Sequence, residues 1–146
     1  MCFPFYKQRE DEMDCGPTCL RMVAKYYGKS YSIQHLSQLS NSTNKGSSLL
    51  GISEAAEKIG FRTIGVKVTF NKLCKDAPLP CIAHWNKSHY VVIYKIKKSK
   101  ILNPLPKEEI ICIADPARGL LKYSKKDFLK SWKDTANKGI LLLLTI

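Results

Sequence analysis

Apolar residues in the first part of the chain recur every three or four positions, the spacing that gives an α-helix one buried face. The clearest run begins at Cys15, where Asp14 is a favourable N-cap, and Gly28 ends it. A short second helix is predicted after Ser32, and a third over residues 49–59. The first part of the chain is therefore predicted to be helical.

Further along, the pattern changes to short segments rich in β-branched and aromatic residues. The predicted strands are residues 61–68, 81–85, 89–96, 110–114 and 139–146, and residues 124–132 form one more helix. Helices followed by strands with short connections predict an α+β domain, in which N-terminal helices pack on a mainly antiparallel sheet. No repeat or linker divides residues 1–146, so a single domain is predicted. The charged loop 97–109, with two prolines, is predicted to be a mobile insertion.

The composition is that of a globular protein, with 45% hydrophobic and 25% charged residues. The longest apolar run has the length of a strand and falls far short of the roughly 20 residues that cross a bilayer. The N-terminal segment MCFPFYKQRE lacks the apolar core and cleavage site of a secretory signal, which predicts a cytoplasmic location. The six cysteines are then expected to be reduced.

The net charge of +12 raises nucleic acids, acidic peptides and anionic lipids as partner classes. Lysine provides most of this charge, and the arginines are Arg9, Arg21, Arg62 and Arg118. Because base recognition relies on bidentate arginine contacts, specific nucleic-acid binding is not predicted. The lysine clusters at residues 95–100 and 122–133 are interpreted as solvated faces, with attraction to a negative membrane surface as the alternative.

Cys15 lies where a nucleophile gains from its position. At the first turn of a helix, the partial positive charge of the N-terminus stabilises a thiolate. The alternative is that Cys15 is a small buried apolar residue, as most free cysteines are. Its position alone therefore makes Cys15 a candidate nucleophile and does not establish that role.

A nucleophilic thiol needs a base, and the chain has three histidines. His89 begins the apolar strand HYVVIYKI, so its side chain can face a helix terminus across a cleft. His84 lies near the end of the preceding strand and is the weaker candidate, and His35 lies among polar residues and is interpreted as a surface residue. The alternative for His89 is a half-buried imidazole with a structural role.

The third member of such a site is a carboxylate or amide that holds the imidazole in its productive tautomer. Asp115 ends the strand ICIA, at the edge of the same predicted sheet, in the segment ADPARG. Asp-Pro also opens many turns, so Asp115 alone says little. Cys15, His89 and Asp115 all lie at the ends of elements that can converge, which makes the set stronger than its members.

Two other chemistries fit the cysteines less well. The segment CGPTC has three residues between its sulfurs, where a thioredoxin-type redox pair has two. The local spacings of a zinc finger are found in Cys15, Cys19, His84 and His89. However, 64 residues separate the two pairs, against about a dozen in a finger. No metal or other cofactor is therefore predicted, and a structural zinc is kept as a minor alternative.

Taken together, these segments resemble the bacteriocin-processing, double-glycine leader cysteine peptidases (cysteine peptidase family 39), usually found at the N-terminus of peptidase-containing ABC transporters. The resemblance rests on QREDEMDCGPTCLRMVAKYYG around Cys15, GSSLLGISEAAEKIGFRTIGVKV, HYVVIYKI at His89, ADPARG at Asp115 and a closing W…GILLLL. It covers most of the chain in the same order. It implies a papain-like fold and hydrolysis after a Gly-Gly or Gly-Ala pair that ends the leader of a secreted peptide precursor.

The resemblance also implies partners and a location. In the family the leader is an amphipathic helix that docks in a surface groove. Membrane and ATPase parts of an ABC transporter are the other implied partners, at the cytoplasmic face of the membrane. A channel too narrow for bulky side chains would select glycine beside the scissile bond by steric exclusion.

By the same resemblance, Cys15 is the nucleophile, His89 the general base and Asp115 the orienting carboxylate. Gln8 is the candidate oxyanion-hole donor, together with the backbone N–H of Cys15. Gln8 lies seven residues before Cys15, where six is usual in the family, and the extra residue requires a bulge or a looped turn. The interval of 26 residues between His89 and Asp115 is also long, which we attribute to the loop 97–109.

Three other functions stay open from the sequence. Some transporter-attached domains of this fold lack the cysteine and only hold cargo, and the presence of Cys15 argues against such a leader-binding module. A different cysteine enzyme, such as an acyltransferase with the same triad, is the second alternative. A basic structural domain without activity is the third.

Overall fold

The computed structural model describes residues 2–10, 13–43, 46–98 and 108–146, which contain five helices and six strands. The helices are α1 (Cys15–Tyr26), α2 (Ile33–Leu39), α3 (Leu49–Lys58), α4 (Phe70–Asp76) and α5 (Lys125–Trp132). The strands are β1 (Arg62–Thr69), β2 (Cys81–Trp85), β3 (His89–Lys98), β4 (Glu109–Asp115), β5 (Gly119–Ser124) and β6 (Lys138–Thr145). Within the described residues, none of the helices combines the length and apolar character that a bilayer crossing requires.

The six strands form one sheet in the order β1-β6-β2-β3-β4-β5, with every neighbouring pair antiparallel. A tight hairpin joins β2 to β3, so that Trp85 pairs with His89. On the other side of β3, β4 runs in the opposite direction and ends at Asp115. The start of β3 and the end of β4 therefore lie at the same end of the sheet. The predicted antiparallel sheet is confirmed, and its topology brings His89 and Asp115 together.

The sheet separates two apolar cores, because alternate residues of a strand face opposite sides. On β3, Tyr90 and Val92 belong to the core beneath α1, α2 and α3. Val91 and Ile93 belong to the core beneath α5, which includes the fully buried Phe128. Both faces of the central strands are covered, which explains why HYVVIYKI is almost continuously apolar.

Helix α1 is almost wholly buried in the first core. Leu20, Val23 and Ala24 have no exposed surface. The start of α1 also approaches α3 closely, since a Cβ on Gly16 would lie 2.6 Å from Cδ1 of Ile52. This packing fixes the position of the first residue of the helix.

Two elements, α4 and β5, were not predicted from the sequence. Helix α4 has only seven residues, is capped by the Thr69 side chain, which accepts from the Lys72 N–H, and buries Phe70 and Leu73. Strand β5 alternates half-buried and exposed residues and pairs with β4 along its whole length. Both are stabilised largely by contacts that exist only in the folded chain.

Strands β3 and β4 extend beyond their predicted ends. Lys97 pairs with Ile110 and Lys98 with Glu109. Both ends of the predicted loop 97–109 are therefore strand residues, and its centre, residues 99–107, lies outside the described residues.

Candidate active site

Cys15 is the first residue of α1, and 9% of its surface is exposed. The first backbone N–H groups of a helix have no partner within the helix and carry partial positive charge. The sulfur is therefore held at the place where a helix favours a negative group, as the sequence predicts.

The segment before Cys15 is held in place by Asp14, which is 3% exposed. Its carboxylate accepts two hydrogen bonds from Arg9, one from Nε at 2.7 Å and one from the backbone N–H at 3.2 Å. Asp14 occupies the N-cap position of α1, as predicted, but its side chain makes no capping hydrogen bond to the helix. The reason is that a buried carboxylate is best satisfied by a charged partner, and the guanidinium group provides one.

His89 and Asp115 form a direct hydrogen bond, with 2.7 Å between Nε2 and Oδ1. The His89 side chain is 23% exposed and that of Asp115 only 2%. The backbone N–H of Ala117 donates a second hydrogen bond to Asp115, at 2.9 Å. The carboxylate is therefore fixed by its own turn, and it holds the proton of His89 on Nε2.

Cys15 lies close enough to His89 to change the pKa of the imidazole. Burial lowers the pKa of His89, but hydrogen bonds with Asp115 and Cys15 and their negative charges raise it from 6.5 to about 9. Because Asp115 occupies Nε2, Nδ1 is the ring nitrogen available to the sulfur. Beside a Cys15 thiolate, the imidazole is therefore protonated at neutral pH.

The charge of Asp115 is maintained by its neighbours. Burial raises the pKa of this carboxyl, but hydrogen bonds from His89 and the Ala117 N–H, with the charges of His89 and Arg118, bring the pKa below 3.8. Asp115 is therefore ionised near neutral pH and stabilises the imidazolium form of His89.

Gln8 is tied to both sides of this arrangement. Its backbone N–H donates to the carbonyl of Pro116, which follows β4, at 2.9 Å. The next residue, Arg9, is bonded to Asp14, which directly precedes Cys15. The side-chain oxygen of Gln8 is buried and has no hydrogen-bond partner among the described residues. Since buried amides are nearly always paired, this one is available to a ligand.

Uncharged groups surround the triad. Cys19, one turn further along α1, is fully buried, and burial followed by the charges of Cys15 and Asp115 raises the pKa of its thiol well above 9.0. Burial, with smaller effects of Cys15 and Cys19, also raises the pKa of Tyr90. Cys15 and Cys19 are both free thiols. Cys19 and Tyr90 stay neutral near pH 7 and give the site an uncharged floor.

The other two histidines lie outside the triad. His35 is exposed on α2, with its ring 6.0 Å from that of Tyr31, as its polar surroundings predict. His84 lies on β2 with its ring 5.3 Å from that of Tyr90. Of the three histidines, His89 is therefore the one that contacts both Cys15 and a carboxylate.

Two residues that hold the site together, Arg9 and Pro116, have no clear signal of their own in the sequence. Arg9 is one of 24 basic residues, and its partner, Asp14, is equally compatible with a helix cap. Pro116 acts through its backbone carbonyl, which any residue has. The one available signal was the position of Pro116 within ADPARG, directly after a candidate catalytic residue.

The comparison of sequences gives a consistent result. The model of the peptidase C39 family matches residues 4–141. The lactococcin-G-processing and transport ATP-binding protein LagD of Lactococcus lactis subsp. lactis is 38% identical over 141 residues, which are 92% of this chain and 18% of LagD. The chain thus spans less than a fifth of that relative.

Solved structures agree with the sequence match. A double glycine motif protease from an AMS/PCAT transporter, in complex with the leader peptide, has a TM-score of 0.82 and 30% identity, over 97% of this chain and 89% of that one. The peptidase domain of Streptococcus ComA, a bifunctional ABC transporter of a quorum-sensing pathway, has a TM-score of 0.79 and 32% identity, over 99% and 98%. The papain-like α+β fold implied by the sequence is thereby confirmed. Because the family match covers nearly the whole chain and LagD is 38% identical across 92% of it, this chain belongs to the peptidase C39 family.

Proposed function

We propose that this chain is a cysteine endopeptidase domain that removes the leader of a secreted peptide precursor by cutting after a Gly-Gly or Gly-Ala pair. The observation that carries the proposal is the arrangement in which His89 is hydrogen-bonded to Asp115 and lies near enough to Cys15 for the two side chains to interact. This arrangement activates a thiol because the imidazole takes the proton of the sulfur. Membership of a peptidase family supports the same reaction.

In the proposed reaction, the Cys15 thiolate attacks the carbonyl carbon of the second residue of the pair. The protonated Nδ1 of His89 donates its proton to the leaving nitrogen, so that the peptide bond breaks and the leader stays on the sulfur as a thioester. Neutral His89 then removes a proton from water, which attacks the thioester and releases the leader carboxylate and the thiolate. The hydrogen bond to Asp115 keeps the imidazole oriented in both steps.

Negative charge develops on the carbonyl oxygen during each attack, and donors directed at that oxygen lower the barrier. The proposed donors are the side-chain amide of Gln8 and the backbone N–H of Cys15. The anchoring of the Gln8 backbone to Pro116, directly after Asp115, supports this role because it holds Gln8 beside the triad. The hydrogen bonds between Arg9 and Asp14 join residues five positions apart, so one residue more than the family usually has between Gln8 and Cys15 need not displace Gln8.

Relatives support the proposed substrate and partners. One solved relative is a double glycine motif protease bound to the leader peptide, and LagD is named for both processing and transport. We propose that a leader binds residues 1–146 as an amphipathic helix in a surface groove. We further propose that this single domain works with the membrane and ATPase parts of an ABC transporter, at the cytoplasmic face of the membrane.

The test is incubation of the protein with a synthetic double-glycine leader fused to a short cargo. Mass spectrometry should find one cut after the glycines, with the two fragments together heavier than the substrate by one water. Cys15→Ala should abolish the cut, because the nucleophile is lost. Cys74→Ala, which removes an exposed free cysteine, is the matched control and should cut normally.

Normal cleavage by the Cys15→Ala protein would overturn the mechanism. Tight leader binding without cleavage by the unsubstituted protein would favour a leader-binding module instead. A leader fragment that carries an added amine in place of water would identify an acyltransferase.

A further inference from the structure

A cavity of about 370 Å³ opens at the end of the sheet that carries the triad, and the proposed reaction does not use it. Its walls come from β1, β2 and β6, the end of α5, and the hairpin between β2 and β3. We call it the lysine cavity because five lysines line it: Lys67, Lys87, Lys130, Lys133 and Lys138. Among the described lining residues, Asp134 alone is acidic.

Asp134 pairs with one lysine of the cavity, Lys67, and its other hydrogen bonds are made to the backbone. Oδ1 accepts hydrogen bonds from the backbone N–H groups of Ala136, at 2.9 Å, and Lys138, at 3.1 Å. Oδ2 lies 2.5 Å from the ammonium of Lys67. These contacts close the turn before β6 and use both oxygens.

Three cations of the cavity are left without an acidic partner. Lys67 pairs with Asp134, and Lys130 lies 3.7 Å from Asp127. The described part of the chain gives the ammonium groups of Lys87, Lys133 and Lys138 no carboxylate within 4 Å. The cavity therefore has a surplus of positive charge that an anion can satisfy.

The walls of the cavity are fixed by backbone contacts. The N–H of Asn86 donates to the carbonyl of Ser131 at 2.8 Å, which ties the hairpin to the end of α5. Asn86 and Lys87 both have positive φ, 47° and 67°, a conformation that costs energy for a lysine. The floor is apolar, since the Trp132 ring packs so closely on Gly139 that a Cβ there would lie 2.0 Å from it. Lys87 is thus held at the rim of a preformed cavity.

The lysine cavity adjoins the triad by two routes. Lys87 lies two residues before His89 in the same hairpin. His84, in the lining, contacts the ring of Tyr90, whose pKa is raised by burial and by the nearby Cys15. The cavity lies on the β2 side of β3, and Asp115 on the opposite, β4 side. The cavity and Asp115 therefore lie on opposite sides of the start of β3, where His89 lies.

We propose that the lysine cavity binds an acidic side chain, Glu or Asp, of the substrate peptide close to its cleavage site. The inference rests on the proposed peptidase function, since it takes the peptide at Cys15 as the occupant. Lys133 donates to the Asn137 side-chain oxygen at 3.0 Å, but neither it nor Lys87 or Lys138 has a carboxylate partner among the described residues. A carboxylate on a short aliphatic stem matches such ammonium groups around an apolar floor. Because the lysines are exposed, the contact mainly selects among substrates and weakens with salt. A concave cavity fits a single side chain better than it fits a flat membrane surface.

The test is a series of double-glycine peptides in which one Glu is moved through successive positions on both sides of the glycines, in a Gln background. At the matching position, Glu should lower KM by about two- to fivefold for each lysine engaged, with kcat unchanged. The variant Lys87→Gln/Lys138→Gln should lose this preference and cut the all-Gln peptide normally. The matched control, Lys122→Gln/Lys126→Gln, removes the same charge outside the cavity and should keep the preference.

The affinity of each peptide for the Cys15→Ala protein, measured by fluorescence anisotropy, tests the inference independently of cleavage. Equal affinity for the Glu and Gln peptides at every position overturns the lysine cavity as an acid site, even where all of them are cut by the active protein. If the Cys15→Ala protein prefers the Glu peptide but the unsubstituted protein cuts none of the peptides, the proposed peptidase function is contradicted and the cavity is supported as an acid site. The inference is also overturned if all peptides bind equally and the protein attaches to phosphatidylserine vesicles, whereas the Lys87→Gln/Lys138→Gln variant does not. The cavity is then a lipid site.

Discussion

The imidazole of His89 joins the two other members of the triad. Burial opposes its positive charge, and the hydrogen bonds with Asp115 and Cys15 overcome that opposition, which leaves the pKa at about 9. Asp115 is itself held by the N–H of Ala117, so the orientation of the ring does not depend on the substrate. The Asp115 carboxylate therefore both orients the imidazole and favours its protonated form.

Replacement of Cys15 by Ala should lower the pKa of His89 from about 9, because a hydrogen bond and a negative charge that raise it are removed. Asp115→Asn should lower it as well, through loss of the carboxylate. NMR titration of the ring protons measures both shifts, with His35 in the same spectra as a reference remote from the site. An unchanged titration of His89 in the Cys15→Ala protein would contradict the contact between the two side chains.

Substitution of Gln8 tests its proposed role as a donor. Gln8→Ala removes the amide and Gln8→Glu keeps the size but not the N–H groups, so both should lower kcat by about 10²- to 10³-fold with little change in KM. Gln34→Ala, on the exposed face of α2, is the matched control and should leave both constants unchanged. A kcat for Gln8→Ala within about threefold of the unsubstituted protein would exclude Gln8 from the oxyanion hole.

Among the helices, two close approaches determine where α1 begins. A Cβ on Gly16 would meet the flexible end of Ile52, which can rotate away. A Cβ on Gly51 would lie 2.4 Å from the backbone oxygen of Ser40, just after α2, and that oxygen cannot turn aside. The contact between α3 and the end of α2 is therefore the less tolerant of the two, and α1 packs against both helices.

Gly51→Ala should lower the free energy of unfolding by about 1–3 kcal/mol, because the backbone of one helix must move. This loss should appear although alanine favours a helix by about 1 kcal/mol over glycine. Gly65→Ala is the matched control, since its Cβ would make an ordinary contact of 3.6 Å with Leu49. Urea unfolding measures both changes, and a Gly51→Ala protein as stable as the control would argue against a rigid contact.

The elements that the sequence predicts well are those with strong local signals. Strand β2 was predicted with its observed ends, and α1 and α3 within two residues of theirs, because N-caps, glycines and apolar periodicity act over a few neighbours. Strand β5 and helix α4 have weaker local signals and depend on β4 and on the core beneath α5. Their stability comes from partners far away in the sequence, so local patterns do not indicate them.

Across the whole molecule, protonation of the site is coupled to stability. The folded pKa of His89, about 9, exceeds the unfolded value of 6.5, so its contribution is complete below pH 6.5 and is lost as the pH rises through 9. Burial raises the pKa of Cys81 to about 12 and that of Cys19 well above 9.0. The contributions of these thiols are complete below pH 9.0 and are lost above it. Between pH 6.5 and 9, His89 is therefore the main source of pH dependence among these three groups.

The melting temperature should accordingly fall as the pH is raised from 6.5 to 9, and His89→Ala should flatten this part of the profile. His35→Ala, on the exposed surface of α2, should keep the slope of the unsubstituted protein. Thermal unfolding followed by circular dichroism at several pH values provides the comparison. Equal slopes for the unsubstituted and His89→Ala proteins would show that the imidazolium does not stabilise the fold.

The amino-acid order alone was enough to place a cysteine at the start of a helix and a histidine and an aspartate at strand ends, and to indicate an antiparallel α+β domain. Those properties follow from periodicity, caps and turns, which act over a few residues. Folding settled which groups meet: Arg9 binds Asp14 in place of the expected helix cap, Pro116 anchors Gln8, and lysines from separate elements surround one cavity. These contacts, and the protonation of His89, depend on burial and on distances between remote parts of the chain, which no local pattern contains.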